Sequence, residues 1–387
     1  MREFVQKYRA KQKLKYAFSA AGLFISKRLS NGKEARRYPN IHDVEINQDH
    51  IRYVFTLLNG MDPKEVKKKE YVFQQVFSRN LEIRGDMKRF VLYVYRQEMK
   101  EVVKYEPGTM IPAVKHLKLP ALCGVDRHGK IISYDMTVNP HILIGGRTGW
   151  GKSTQLRQLL TTMILSKRPE ELELYLGDCK KAEFHLFRNV EHVKANLVQE
   201  KDIVRMIDHI VQEMDHRSDL LDVFAVEHID KLPADKRKPY IVLCIDEVIK
   251  LSKNQRIMDQ LIDLTSLGRA LGIFVILSMQ RPVAKVIDTT VRANLNVAMG
   301  FRVRDVTEAR VLSTPGAEKL PVPGRFYMDI EGDMTEVQAP FLTLEEAHKL
   351  LEPFRVAPED ARQVYEDEII HESEAAEDDQ IFGRWIE

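Results

Sequence analysis

The chain has 387 residues, 44% hydrophobic and 30% charged, which exceeds one ordinary core and excludes a disulfide mini-scaffold or a chain disordered throughout. Its three cysteines, Cys123, Cys179 and Cys244, form no C-x-x-C pair, so no zinc knuckle or disulfide framework is expected and a cytoplasmic setting is. The net charge of +2 conceals a basic head over 1–40 and an acidic tail over 355–387.

In chain order, residues 16–25 are apolar but fall short of the roughly 20 residues that span a bilayer. They read as an amphipathic helix, and no transmembrane segment is expected. The basic head, interleaved with Tyr8, Tyr16, Phe18 and Phe24, suits nucleic acid or an anionic surface, and equally an ordinary solvated helix face. Apolar positions at three-and-four spacing in 51–58, 71–77 and 90–94 predict a mostly helical N-terminal domain over 1–110. Asn59-Gly60, Asp62-Pro63 and Pro107-Gly108 punctuate it.

From about residue 120 the texture changes. Short apolar runs at 142–144, 172–176, 241–245, 273–277, 297–303 and 325–328 alternate with helical patterns such as 154–164 and 203–217. This is the pattern of an α/β domain, a mainly parallel sheet covered by helices, expected over 111–355. Residues 356–387 read as an acidic, disordered tail whose end, Ile381-Phe382-Gly383-Arg384-Trp385, would suit a docking peptide.

Gly146-Arg147-Thr148-Gly149-Trp150-Gly151-Lys152-Ser153-Thr154 contains G-x-x-x-x-G-K-S after a strand run and before a helical pattern with Leu156, Leu159, Leu160, Met163 and Ile164 on one face. Such a loop turns backbone N–H groups and a helix N-terminus toward phosphate. Lys152 is expected to neutralise β/γ-phosphate charge, and Ser153 to ligate Mg²⁺. The run 240–245 ends in Asp246-Glu247. Asp246 suits the metal and Glu247 suits polarisation of an attacking water, so ATP hydrolysis is the expected chemistry. A third run ends in Ser278-Met279-Gln280-Arg281-Pro282, where Gln280 is placed to sense the γ-phosphate or else to bond its own loop.

These residues, with Asp178-Cys179-Lys180, Leu267-Gly268-Arg269-Ala270-Leu271-Gly272-Ile273 and Pro315-Gly316-Ala317-Glu318-Lys319, resemble in order the motor signatures of the FtsK/SpoIIIE DNA translocases, over about 120–345. The resemblance implies a RecA-like P-loop ATPase ring, usually a hexamer, that threads double-stranded DNA through its pore. It assigns Arg269 as an arginine finger reaching a neighbouring subunit's ATP. It also places Arg281 and Lys285 in one pore loop, with Lys319 and Arg325 in the other, where cations meet phosphates without reading sequence. Cys179 stands where the family commonly has proline. No multi-span membrane region, long linker or orientation-reading winged helix is recognisable, a pattern similar to translocases of plasmids, conjugative elements and phages. Two alternatives share this motor: a conjugative coupling protein acting on relaxase-bound single-stranded DNA, with a relaxase or a membrane-anchored transfer protein as partner, and a protein-secretion ATPase.

Overall fold

The computed structural model describes residues 2–28, 34–96, 98–180, 183–283 and 289–356. The chain divides into two compact units, Met1–Met99 and Lys100–Glu387. Among the described residues no helix is long and apolar enough to cross a membrane.

The first unit corrects the helical expectation. Its one long helix, Arg2–Ala20, presents Ala10, Leu14, Ala17 and Phe18 to a core. The rest is built mainly from antiparallel sheet: a hairpin of Ile25–Arg28 with Glu34–Arg37, and a four-stranded sheet in the order Asn40–Ile46, His50–Thr56, Arg89–Tyr95, Leu81–Arg84. Of the three segments read as helical, 71–77 alone is largely so, within Glu70–Val76. In the other two, β-branched and aromatic residues fit a pleated surface better than a helix. Phe90 and Leu92 alternate into the core, with Phe55 opposite Phe90. A short apolar run satisfies period 2 and period 3.6 equally, and here the sheet partner decides. Phe18 lies edge-on to Phe55 at 5.0 Å and to Phe73 at 6.1 Å.

The second unit is dominated by a ten-stranded sheet. Its strands are numbered in chain order: β1 (Pro120–Val125), β2 (Ile131–Asp135), β3 (Ile142–Gly145), β4 (Leu172–Asp178), β5 (Val193–Leu197), β6 (Tyr240–Asp246), β7 (Ile273–Met279), β8 (Val297–Phe301), β9 (Arg325–Ile330) and β10 (Asp333–Gln338). The spatial order is β5-β4-β6-β7-β3-β8-β9-β10-β1-β2. The six strands from β5 to β8 run parallel, and the remaining four attach antiparallel.

Every short apolar run named from the sequence forms a strand of this sheet. Their continuous hydrophobicity follows from burial on both faces. Along β3, Ile142 and Ile144 face one core while Leu143 faces the other, and β6 and β7 alternate in the same way. Helix α1 (Lys152–Ser166) packs on the first face through Leu156, Leu159, Leu160, Met163 and Ile164. Helices α2 (Glu200–Phe224) and α3 (Gln255–Leu271) cover the second. Pro107-Gly108, expected to break the chain, opens the helix Pro107–Val114, with proline where its missing N–H costs nothing.

Candidate nucleotide site

The site sits at the carboxyl ends of β3, β6 and β7. Because β7 lies between β3 and β6, the loops after all three strands converge. The chain leaves β3 through Gly146 and enters α1 after Gly151. Gly151 has φ +107°, and a Cβ there would come within 2.9 Å of the Gly324 backbone. A side chain would therefore close the turn that aims the first N–H groups of α1 at a ligand. The Arg147 N–H donates to the Arg302 carbonyl at 2.9 Å, and the Trp150 carbonyl accepts from Gly324 N–H at 3.0 Å. The Arg302 guanidinium lies 4.6 Å from the Trp150 ring centre. The loop is thus pinned on both flanks.

Beside it opens a cavity of about 460 Å³, lined by Thr148, Lys152, Ser153, Thr154, Glu183 and Gln280, with Val102, Pro323 and Phe341 on the apolar side. Gly149 and Gly151 also border it. A pairing of Val103–Lys104 with Pro340–Phe341 holds two segments of that apolar wall together.

Lys152 is buried, and its Nζ donates to Asp246 Oδ1 and, at 2.9 Å, to Ser278 Oγ. Ser278 also donates to Asp246 Oδ1. Burial alone would raise the Asp246 pKa, but the Lys152 charge and the two donors outweigh it and hold the carboxyl below its ordinary value. Asp246 Oδ2 is buried with no hydrogen-bond partner. An orphaned carboxylate oxygen fits a hydrated divalent cation, and the Ser153 hydroxyl at the head of α1 completes a plausible donor set for it.

Glu247, at φ +58°, turns off the end of β6. One carboxylate oxygen accepts from Gln280 N–H at 3.3 Å, and the other pairs with Lys180. Gln280 therefore borders the cavity and, through its backbone N–H, meets Glu247.

The remaining expectations divide. Arg269, exposed in the last turn of α3, donates to the Thr137 carbonyl at 3.2 Å and is not brought to its own chain's phosphate loop. Arg281 is exposed in a second cleft beside Arg147 and Thr148. Lys319 is exposed, 4.0 Å from Glu318. Lys285 lies outside the described residues, as does the acidic tail from 357. Arg325 corrects the pore-loop reading: it is 4% exposed, donating to Gln338 at 2.8 Å, to Glu336 at 3.0 Å and to the Lys100 carbonyl at 3.0 Å. It is the first residue of β9, directly opposite Gln338 of β10, in a strand whose next residue, Phe326, is buried as well.

One site residue went unnoticed in the sequence. Glu183 accepts a hydrogen bond from Ser153 Oγ at 2.5 Å. Buried Asp178, at the end of β4, fixes its position by accepting from the N–H groups of Glu183 at 2.9 Å and Phe184 at 3.1 Å. The usable signal was an aspartate at a strand end followed within a few residues by a second acid.

A glycine-rich phosphate loop after the central strand, an Asp-Glu pair two strands away and a polar strand end between them define a P-loop ATPase. Residues 113–284 match the FtsK/SpoIIIE family, so this segment of the second unit is an ATPase domain of FtsK/SpoIIIE type. The DNA translocase FtsK of Tropheryma whipplei (strain TW08/27) is 30% identical over 248 residues, covering 59% of this chain and 34% of that protein. The chain spans about a third of the length of the curated relatives it matches. Among solved structures, the pCW3 conjugation coupling protein TcpA, in a monomer form with ATPγS, is similar over 88% of this chain and 98% of that one, with a TM-score of 0.59 and 22% identity. The cytoplasmic domain of the Thermomonospora curvata type VII secretion ATPase EccC is similar over 62% of this chain and 31% of that one, with a TM-score of 0.57 and 24% identity. At these identities the structural likenesses establish the fold.

Proposed function

We propose that this chain is an ATP-hydrolysing motor that assembles as a ring, a hexamer by family analogy, and moves double-stranded DNA in the transfer or segregation of a mobile element. The observation that carries the ATPase part is that Lys152 and Gln280 line one cavity while bonding to Asp246 and Glu247 respectively, with Asp246 Oδ2 left without a hydrogen-bond partner. Lys152 exchanges its bond to Asp246 for the β/γ-phosphates, and Ser153 with Asp246 would hold Mg²⁺. When bound, the metal neutralises charge that develops on the phosphate oxygens. Glu247 orients and polarises the attacking water once Lys180 has released it, and Gln280 relays the state of the γ-phosphate to the loop carrying Arg281.

Arg269, turned away from its own site, is free to serve a neighbouring subunit, which would make hydrolysis depend on assembly. Arg281, Lys285 and Lys319 contact the DNA backbone, and buried Arg325 is left out of that set. The DNA reading draws its support from the translocase relatives.

A second reading, a conjugative coupling protein acting on relaxase-bound single-stranded DNA, is favoured by one observation. The TcpA likeness extends over 88% of the chain, well beyond the residues the family model matches.

Steady-state ATP turnover without DNA, with single-stranded DNA and with linear duplex separates the readings. Duplex stimulation that Glu247→Gln reduces by about 10²–10⁴-fold supports the double-stranded motor. Stronger stimulation by single strands favours the coupling protein. Turnover indifferent to both overturns a DNA role and favours polypeptide transport.

A further inference from the structure

Not every carboxylate at this site is held in an ion pair. Lys152 pairs with Asp246, and Lys180 pairs with Glu247. Glu183 forms no ion pair among the described residues. Its partner is instead the hydroxyl of Ser153, at 2.5 Å, inside the cavity. Burial lowers the Arg157 pKa and the nearby Glu183 charge opposes that shift, but Arg157 forms no ion pair with Glu183 and its Nη1 donates to the Leu342 carbonyl at 2.8 Å.

A serine hydroxyl has one proton and two lone pairs. To present a lone pair to a cation, the proton must point elsewhere, and an acceptor on the opposite side settles its direction. Partners of this kind, bonded to a ligand rather than to the metal, orient the ligand and raise its basicity. Glu183 is held for that task by Asp178, which takes the N–H groups of both Glu183 and Phe184.

We propose that Glu183 is a positioning residue that makes the site selective for metal-complexed nucleotide. It draws the Ser153 proton away from the metal position, and its own negative charge repels a triphosphate that arrives without a cation. The inference rests on the ATPase reading above, but it predicts a signature that reading alone does not.

The test measures affinity for a fluorescent non-hydrolysable ATP analogue, using the full-length protein, in excess EDTA and in excess Mg²⁺. Glu183→Gln keeps the shape and an acceptor for Ser153 while removing the charge. It should bind the analogue more tightly than wild type in EDTA and more weakly in Mg²⁺, so that the enhancement by Mg²⁺ falls about tenfold or more. Glu183→Asp, which retains the charge, should keep the weak EDTA binding of wild type. In a Ser153→Ala background adding Glu183→Gln should cause no further loss of affinity in Mg²⁺, while the tighter binding in EDTA should persist. If Glu183→Gln weakens binding equally in EDTA and Mg²⁺, Glu183 merely supports its loop and the proposal is overturned. Unchanged affinities overturn it as well. Wild-type protein that binds no analogue in either condition would instead overturn the ATPase reading itself.

Discussion

The two units both rely on a sheet, but they treat buried charge in opposite ways. In the first, the four-stranded sheet packs aromatic residues against a single helix, with Phe18, Phe55, Phe73 and Phe90 completely buried. In the second, the sheet is covered on both faces, and its carboxyl edge takes Lys152, Asp178, Asp246 and Glu247 out of solvent. Among the described residues, every buried polar or charged side chain lies at His141 or later in the chain. Burying a charge is costly unless it is paired and hydrogen-bonded. The second unit therefore carries buried ion pairs, whereas those of the first, such as Arg52–Glu45 and Arg84–Glu82, lie at partly or largely exposed positions.

The largest expected effect that tests this contrast lies in the aromatic core. Phe55→Ala removes a ring that touches Phe18 and stacks 5.7 Å from Phe90, and should destabilise the first unit by about 3–5 kcal/mol. Hydrogen exchange is the suitable measurement. Amides of His50–Thr56 and Arg89–Tyr95 should lose protection while those of β6 and β7 keep theirs. Equal loss in both places would mean that the two cores melt as one and that the contrast is misplaced.

A somewhat smaller effect is expected at Arg325, which separates structural from functional cations. Arg325→Ala leaves Glu336 short of a partner in a partly buried position, although Arg127 also reaches that carboxylate at 2.5 Å. The expected cost is about 3 kcal/mol, read as a lower midpoint in urea denaturation. DNA stimulation per folded molecule should stay at the wild-type level. If stability holds and stimulation falls, Arg325 belongs with the DNA-contacting residues after all.

How much could be read in advance follows from the same difference. The phosphate loop was legible because glycine spacing, Lys152 and Ser153 answer to the fixed geometry of a phosphate chain. Asp246, Glu247 and Gln280 were legible because a continuous apolar run ending in a polar residue marks a strand tip. The strands His50–Thr56 and Arg89–Tyr95 were not, since a six- or seven-residue apolar run fits either period and its identity is settled by partners distant in sequence. β2, β5 and β10 escaped because they are mixed in polarity, and β1 because its Pro120 and Gly124 weaken a strand pattern. The burial of Arg325 depends on Gln338 and Glu336 across a strand pair, and Glu183 depends on the way Asp178 folds its loop. No local pattern carries the first, and the second leaves only a strand-end aspartate followed within a few residues by another acid.

The smallest effect expected concerns the pH response of the second unit. His141 is fully buried at the entrance to β3 with φ +60°, and Val275 N–H donates to its Nδ1 at 3.1 Å. Burial pushes its pKa down to about 4. A group depressed in the folded state stays neutral there while the unfolded chain takes up a proton below about 6.5. Stability from this histidine is therefore complete above pH 6.5 and declines as pH falls toward 4. Between pH 7 and pH 5.5 the loss should be about 1 kcal/mol. His141→Asn tolerates the left-handed backbone and offers an amide oxygen near the position of Nδ1. Urea midpoints for the variant should fall less between those two pH values than wild-type midpoints do. Parallel curves would show that the buried histidine does not set the acid sensitivity of the sheet.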